Sequence, residues 1–409
     1  MTRRATISAS LLLVLSVPLQ AIDFNEEIAP LIVRRCLECH NSTDAQGGLD
    51  LTSLKSAIAG GDSKSSIQSP IENNFILQRI MDGEMPPEIK GIPQPLPAAE
   101  LAILTKWISA GANWPQDRQL DLYDATTESH AGRDWWSLRP VTKPQIPSTG
   151  SASFKKDNAI DAFIAARLTA NSLTAAPPAD KRTLLRRLYY DVTGLPPKPS
   201  AITAYIANND ANAYETEVNK LLATHHFGQR WARYWLDLIR FADTCGYERD
   251  QLKPNIWKYR DWVIDALNAD MPYDRFVRDQ LAGDEVHYRD EQSVIATGMI
   301  RAGTWNDEPN DPADYVYTRL EDMVHTTTSA FLGLTVKCAR CHNHKFDPIP
   351  QTDYYRTAAL FWPGYMGQAN LGGPSVEQLG YDAFGWTDRN NAPEDLRLLI
   401  KGERHRPAD

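Results

Sequence analysis

Residues 24–40 read FNEEIAPLIVRRCLECH, a stretch that ends in the pattern Cys-x-x-Cys-His. Residues 338–342, CARCH, repeat the pattern, so the two copies hold four of the 5 cysteines in the chain. Two cysteines at this spacing serve as a redox dithiol, as half of a zinc site, or as the attachment site of haem c. Only haem c attachment requires a histidine directly after the second cysteine, because that histidine binds the iron.

The separation of the two copies favours haem over zinc. A four-cysteine zinc site would join halves about 300 residues apart, whereas the ligands of structural zinc sites lie close together in sequence. We therefore expect two covalently attached haem c groups, each with its iron, and keep zinc binding and disulfide chemistry as alternatives. The expected haem-binding residues are Cys36, Cys39 and His40 for the first group and Cys338, Cys341 and His342 for the second.

Met85 is the expected second axial ligand of the first haem iron. Pro86 and Pro87 follow it, and prolines stiffen the backbone and exclude a helix interior. Helices are expected over the stretch that leads into the first motif and after Met85, where one helical stripe contains Leu101, Leu104, Trp107 and Ile108. Met81 is the alternative ligand, but it falls in a helical stretch without prolines. Two helices beside a haem with a methionine loop between them are typical of a class I cytochrome c.

The N-terminus predicts export. MTRRATISASLLLVLSVPLQA has a basic start, an apolar centre and a small residue, Ala21, where a signal peptidase could cut. A periplasmic or otherwise exported protein is therefore expected, and an uncleaved N-terminus would be its only route to a membrane. The formal net charge of −9 argues against nucleic acid as a partner, because nucleic-acid-binding proteins carry basic patches.

The chain divides by composition into five segments. The Pro- and Ser-rich stretch RPVTKPQIPSTGSAS, residues 139–153, predicts an interdomain linker. The expected segments are a signal peptide (1–21), a cytochrome c-like haem domain (22–116), a linker and lead-in (117–157), a helical domain with the second haem motif (158–362) and an irregular tail (363–409). Both domains are expected to be helical, so the expected fold class is mainly α: a class I cytochrome c-like domain followed by a larger helical domain.

Residues 228–243, GQRWARYWLDLIRFAD, predict one long helix of the second domain. Aromatic and apolar side chains recur at helical spacing, a pattern typical of a buried core face: Trp231, Tyr234, Trp235, Leu238 and Phe241. Asp237, Arg240 and Asp243 follow one another at intervals of three, so ion pairs along the same helix are expected.

Two long regions resemble known families. Residues 23 to about 114 resemble the planctomycete-type cytochrome C domain, in DFNEEIAPLIVRRCLECHN, DGEMPP and LPAAELAILTKWISAGA. Residues 135 to about 362 resemble the helical domain of unknown function 1549, in LLRRLYYDVTGLPP, HHFGQRWARYWLDLIRFADTCGYE and TTTSAFLGLTVKCARCHNHKFDPIPQTDYYRTAALF. The resemblance implies an exported, haem-bearing and redox-associated protein. Such proteins usually continue into another large domain, so the tail is expected to lead into a region that is absent.

The second axial ligand of the second haem is less defined. His344 is tethered to the same haem face as His342, from which it is two residues away. His226 is the preferred candidate, because it precedes the aromatic helix and falls on a histidine in the family pattern His-x-Gly. The alternatives are His225, His325, Met299, Met323 and an iron without a second ligand.

These expectations combine into a dihaem c-type cytochrome. It would pass electrons between its haems and a redox partner, either another exported protein or the missing C-terminal domain. If the second iron has no second axial ligand, the alternative is a dihaem peroxidase-like oxidoreductase. Whether the protein is an enzyme stays undecided. A third reading is an electron-delivery subunit of a polysaccharide-related system, which would expose Trp135, Trp136 or Trp231 for docking, whereas a core role would bury them.

Overall fold

The computed structural model describes residues 22–42, 44–148, 158–248, 250–304, 306, 309–362, 396–397, 399–403 and 407–408. The expected signal peptide, residues 149–157 of the expected linker and lead-in, and most of the tail lie outside these residues. In the described part, helices dominate and β-structure is limited to isolated bridges, so the expected mainly α fold is confirmed. Contacts between Cα atoms divide the chain into two units, Met1–Val141 with Lys345–Pro348, and Thr142–His344 with Ile349–Asp409.

The first unit contains four short α-helices among its described residues: α1 (Ala29–Arg35), α2 (Leu54–Ala59), α3 (Phe75–Met81) and α4 (Ala98–Ser109). A helical turn over Phe24–Ile28 leads directly into α1. Asp23 starts this turn, because its Oδ1 accepts hydrogen bonds from Asn25 N at 2.8 Å and Glu26 N at 3.1 Å. Helical structure therefore runs up to the residue before Cys36, as the sequence predicts.

The core of the first unit forms where α4 packs against the turn before α1. The Phe24 ring lies 5.9 Å from the Trp107 ring and 4.6 Å from the Trp114 ring, measured between centroids. Leu104, Trp107 and Ile108 are buried on α4, which confirms the predicted apolar stripe. An ion pair between Arg35 at the end of α1 and Glu100 on α4, with Nε and Oε2 2.8 Å apart, fixes the two helices together.

The second unit holds the remaining α-helices of the described residues: α5 (Ala159–Ala170), α6 (Lys181–Thr193), α7 (Pro199–Ala207), α8 (Ala213–Leu222), α9 (His225–Leu238), α10 (Trp257–Asn268), α11 (Tyr273–Ala282), α12 (Glu291–Ala296), α13 (Gly298–Arg301), α14 (Pro312–Leu332) and α15 (Gln351–Phe361). Its main core is built around α10, whose Tyr259, Trp262 and Val263 are buried. None of the helices in the described ranges of either unit is long and apolar enough to cross a bilayer.

The aromatic helix α9 is shorter than predicted. It ends at Leu238, and Arg240 adopts a φ of +52°, so the chain leaves the helix axis before Phe241. Arg240 does not pair along its own helix but with Asp322 on α14, with Nε and Oδ1 2.8 Å apart. The predicted single core face was therefore wrong. Trp235 and Phe241 pack against the core, whereas Trp231 is 45% exposed and its ring lies 5.6 Å from that of Tyr234 on the same helix.

Candidate functional site

A cavity of about 410 Å³ in the first unit is lined by Cys36, Cys39 and His40 and, from a different part of the chain, by Met85. Its volume falls within the range of about 300–1,000 Å³ that is common for pockets of small molecules and cofactors. Apolar side chains supply much of the wall, namely Leu49, Leu51, Phe75, Ile76, Ile80 and Leu96. The cavity thus brings together all four residues that the sequence assigns to the first haem.

A tight turn after α1 brings the three motif residues to this wall. Cys36 N donates to Ile32 O at 2.9 Å, and His40 N donates to Cys36 O at 3.0 Å, so the chain coils once more beyond the helix. Leu51 N then donates to His40 O at 2.9 Å and holds the far end of the turn. The His40 Nδ1 atom is buried and has no hydrogen-bond partner among the described residues, which is costly for a polar atom unless a ligand satisfies it.

Met85 reaches the cavity because the loop after α3 is held against the helix end. The carbonyl oxygen of Arg79 accepts hydrogen bonds from Glu84 N at 2.9 Å and from Met85 N at 3.2 Å. Met81, the alternative ligand, is the last residue of α3 and is 65% exposed, and it does not line the cavity. The geometry therefore supports Met85 over Met81.

The thiols of the first motif are held in the neutral form. Burial raises the pKa of the Cys36 thiol to about 12, and burial together with the charges of Glu38 and Asp44 raises the pKa of Cys39. A redox dithiol is favoured by a lowered pKa, so the raised pKa values argue against that alternative.

The donor set of the cavity fits haem c. Two unpaired thiols and a histidine form one wall, a thioether comes from another part of the chain, and an apolar lining surrounds them. This combination matches what the attachment and axial ligation of a c-type haem require.

Comparison with known families agrees with this geometry. Residues 36–88 match the family described as Planctomycete cytochrome C, and residues 159–363 match a family described as protein of unknown function DUF1549. The chain belongs to the DUF1549 family. Its first domain is a haem-binding cytochrome domain, whose cofactor is covalently bound haem c with iron. The order of the two domains confirms the resemblance drawn from the sequence. No curated protein and no solved structure matches the chain.

The second Cys-x-x-Cys-His motif lies on the surface of the DUF1549 domain. A short 3-10 segment, Val336–Arg340, contains Cys338, and both Cys338 and Cys341 are exposed free thiols. His342 is also exposed, and its Nδ1 lies 2.6 Å from Asn343 O. The C-terminal part of the chain touches this motif, because a Cβ added at Gly402 would lie 2.5 Å from the Cys341 Sγ atom.

The histidines considered for the second iron are engaged elsewhere. His344 is buried, with its Nε2 3.1 Å from Thr335 Oγ1. His226 is exposed on α9, with its Nδ1 3.0 Å from Gln229 Oε1. Helix α9 packs against α6, α8 and α10, whereas the segment that carries Cys338 packs against α14 and α15. The packing of these elements therefore gives no support to a pairing of His226 with His342.

One histidine is brought closer to the second motif than the sequence indicated. His325 lies on α14, and its Nδ1 is 3.1 Å from Ser329 Oγ. One helical turn earlier, Glu321 binds Arg340 of the motif, with Oε2 and Nη1 2.6 Å apart. Burial and then the charge of Lys337 lower the pKa of His325. The signal in the sequence would have been the spacing of four residues between Glu321 and His325, which places both on one face of α14.

Proposed function

We propose that this protein is an exported dihaem c-type cytochrome that transfers electrons between its two haems and a redox partner. The observation that carries the proposal is the common cavity of Cys36, Cys39, His40 and Met85. The second copy of the motif, with its free and exposed thiols, supports a second haem.

In the first domain, Cys36 and Cys39 hold the haem through thioether bonds. Each attachment adds a thiol across a vinyl group, which forms one C–S bond and one C–H bond and needs no oxidant. His40 and Met85 would bind the iron, and the haem would supply a one-electron centre there. Ligation by His and Met raises the reduction potential relative to ligation by two histidines.

In the DUF1549 domain, Cys338 and Cys341 attach the second haem, and His342 binds its iron. The family pattern suggests His226 as the second axial ligand. The position of His325 favours it instead, because Glu321 on the same helix binds Arg340 of the motif. A second haem with two histidine ligands has the lower potential of the pair. Electrons would then pass from the second haem to the first.

Export and the redox partner complete the proposal. The N-terminal sequence and the usual export of cytochrome c domains support a periplasmic or otherwise exported location. The partner is another exported protein or a domain that follows the DUF1549 domain in related proteins.

A second candidate is a dihaem peroxidase-like oxidoreductase whose second iron is open. The engagement of His344 with Thr335 and of His226 with Gln229 favours this candidate, because neither ring is positioned by the motif that carries His342. A small oxidant would then bind at the open position. The spin state of the second iron distinguishes the two candidates.

The experiment that tests the proposal is a count of covalent haem by mass on protein made with the haem-maturation machinery. Wild type is expected to carry two haems, and Cys36→Ala/Cys39→Ala and Cys338→Ala/Cys341→Ala are each expected to lose one. Cys245→Ala, which removes the fifth cysteine, is the control and should lose none. An unchanged mass increment in Cys338→Ala/Cys341→Ala would show that the second motif holds no haem.

A further inference from the structure

Two arginines line the cavity of the first domain, and they differ in what they bind. Arg35 is occupied, because its Nε lies 2.8 Å from Glu100 Oε2 and its Nη2 lies 3.1 Å from Glu100 Oε1. The nearest carboxylate to Arg79 belongs to Glu84, and the 3.9 Å between Nη1 and Oε2 is too long for a hydrogen bond. Among the described residues, Arg79 is therefore the cavity arginine whose guanidinium is not hydrogen-bonded to a carboxylate.

Arg79 also holds the loop that presents Met85. Its carbonyl oxygen accepts the backbone hydrogen bonds of Glu84 and Met85, and its side chain is 52% exposed. Arg79 lines the cavity, so a ligand bound between His40 and Met85 would have this residue beside it. Asp62 is the carboxylate in the cavity wall, so an additional carboxylate brought by a ligand would need a cation.

We propose that Arg79 binds a propionate of the first haem and thereby raises the reduction potential of that haem. A guanidinium offers two parallel N–H donors that match a carboxylate, and such charge-assisted pairs are stronger than neutral hydrogen bonds. The charge of Arg79 offsets the negative propionate, which would otherwise favour the ferric state. The inference rests on the proposed placement of haem in this cavity.

The test is the reduction potential of the first haem as a function of pH, measured in the Cys338→Ala/Cys341→Ala background so that one haem titrates. Arg79→Gln should lower the potential at pH 7, because the propionate charge is no longer balanced. As the pH falls and the propionate of the variant takes up a proton, the charge balance is restored and the two potentials should converge.

Two variants serve as controls for this measurement. Arg79→Lys keeps the positive charge and should restore most of the potential. Lys106→Gln removes one exposed charge on α4, away from the cavity wall, and should give a small shift without convergence at low pH. A shift in Arg79→Gln that is no larger than in Lys106→Gln, or one that is independent of pH, would overturn the inference.

A third variant distinguishes a failure of this inference from a failure of the proposed haem placement. Met85→Ala reports the placement, because it should change the visible spectrum of the haem whatever Arg79 does. If Met85→Ala changes the spectrum and Arg79→Gln leaves the potential unchanged, only the propionate contact is wrong. If Met85→Ala leaves the spectrum unchanged, the placement itself is wrong.

Discussion

His40 and Met85 line the same cavity, although they come from separate elements of the first domain. His40 closes the turn that follows α1, and Met85 is held by the carbonyl of Arg79 at the end of α3. An imidazole and a thioether are the side chains that bind the iron of a high-potential c-type haem, and we propose that His40 and Met85 do so here. The predictions below test this arrangement and the packing that supports the second domain.

Replacing Met85 should remove one axial ligand from the first iron. Met85→Ala is expected to abolish the methionine-to-iron charge-transfer absorption of the ferric protein and to lower the reduction potential, because a thioether stabilises ferrous iron. Met81→Ala is the matched control, since that side chain is exposed outside the cavity wall, and it should leave both properties unchanged. The reverse pattern would assign the ligand to Met81.

Alkylation of the haem-free protein should discriminate between its cysteines. Burial raises the pKa of Cys36 to about 12, so very little of it is thiolate at pH 8. Compared with an ordinary thiol of pKa about 8.5, its reaction with iodoacetamide should be slower by at least about tenfold, even after allowing for the higher nucleophilicity of a more basic thiolate. Mass spectrometry of timed samples should show the exposed Cys338 modified first. Rapid modification of Cys36 would contradict its burial.

Removing the charge of Asp322 should destabilise the DUF1549 domain. Its carboxylate binds Arg240, with Oδ2 2.5 Å from Nη2, and also the buried Arg319, with Oδ2 3.0 Å from Nη1. Asp322→Asn leaves both guanidinium groups without this partner, so we expect a loss of about 2–4 kcal/mol in the free energy of unfolding. Asp274→Asn breaks the exposed pair with Arg278 and should cost less than about 1 kcal/mol. Urea unfolding measures both values.

The effect of Asp322→Asn should depend on pH in one direction. Burial opposes ionisation of Asp322, but the hydrogen bond and charge of Arg240 outweigh it, so its pKa lies below the usual value. The unfolded chain then takes up a proton before the folded chain as the pH falls. The stabilisation by Asp322 is complete above about pH 5 and is lost as the pH drops through the folded pKa. The difference between wild type and Asp322→Asn should therefore shrink on acidification, and a constant difference would refute the ion pair.

Close packing of α9 on α10 should make Gly228 sensitive to substitution. A Cβ at this position would overlap the carbonyl oxygen of Ile264 and would approach Asn268 Nδ2 to 2.5 Å. Alanine is the better helix former by about 1 kcal/mol, yet we expect Gly228→Ala to lower the free energy of unfolding by about 1–3 kcal/mol because the helices must separate. Thermal unfolding followed by circular dichroism measures the change, and a more stable variant would contradict the tight contact.

Local sequence was sufficient to predict much of the first site. The motif fixes the spacing of Cys36, Cys39 and His40, and the two prolines exclude a helix at Met85. The contribution of Arg79 could not be predicted, because it depends on Arg35 already being bound by Glu100 on another helix. The local sequence pattern does not show which of the two cavity arginines is paired with a carboxylate.

In the second domain, the sequence predicted the helices better than their faces. The end of α9 depends on the left-handed conformation of Arg240, which its contact with Asp322 supports. That partner lies on α14, far along the chain, and no periodicity of α9 reveals it. The sequence also left open whether Trp231 is exposed, since an aromatic stripe is compatible with a core face and with a surface.

Low-temperature electron paramagnetic resonance on the ferric full-length protein, with its covalent haem counted by mass, tests the central claim most directly. We predict two haems per chain and, from the first, a low-spin signal that persists in Cys338→Ala/Cys341→Ala and is lost in Met85→Ala. A low-spin signal from the second haem would support the electron-transferring cytochrome. A high-spin signal from it would support the peroxidase-like candidate, whose second iron has no second axial ligand. A chain without haem at Cys36 and Cys39, or a first haem that is high-spin in the wild type, would contradict the account.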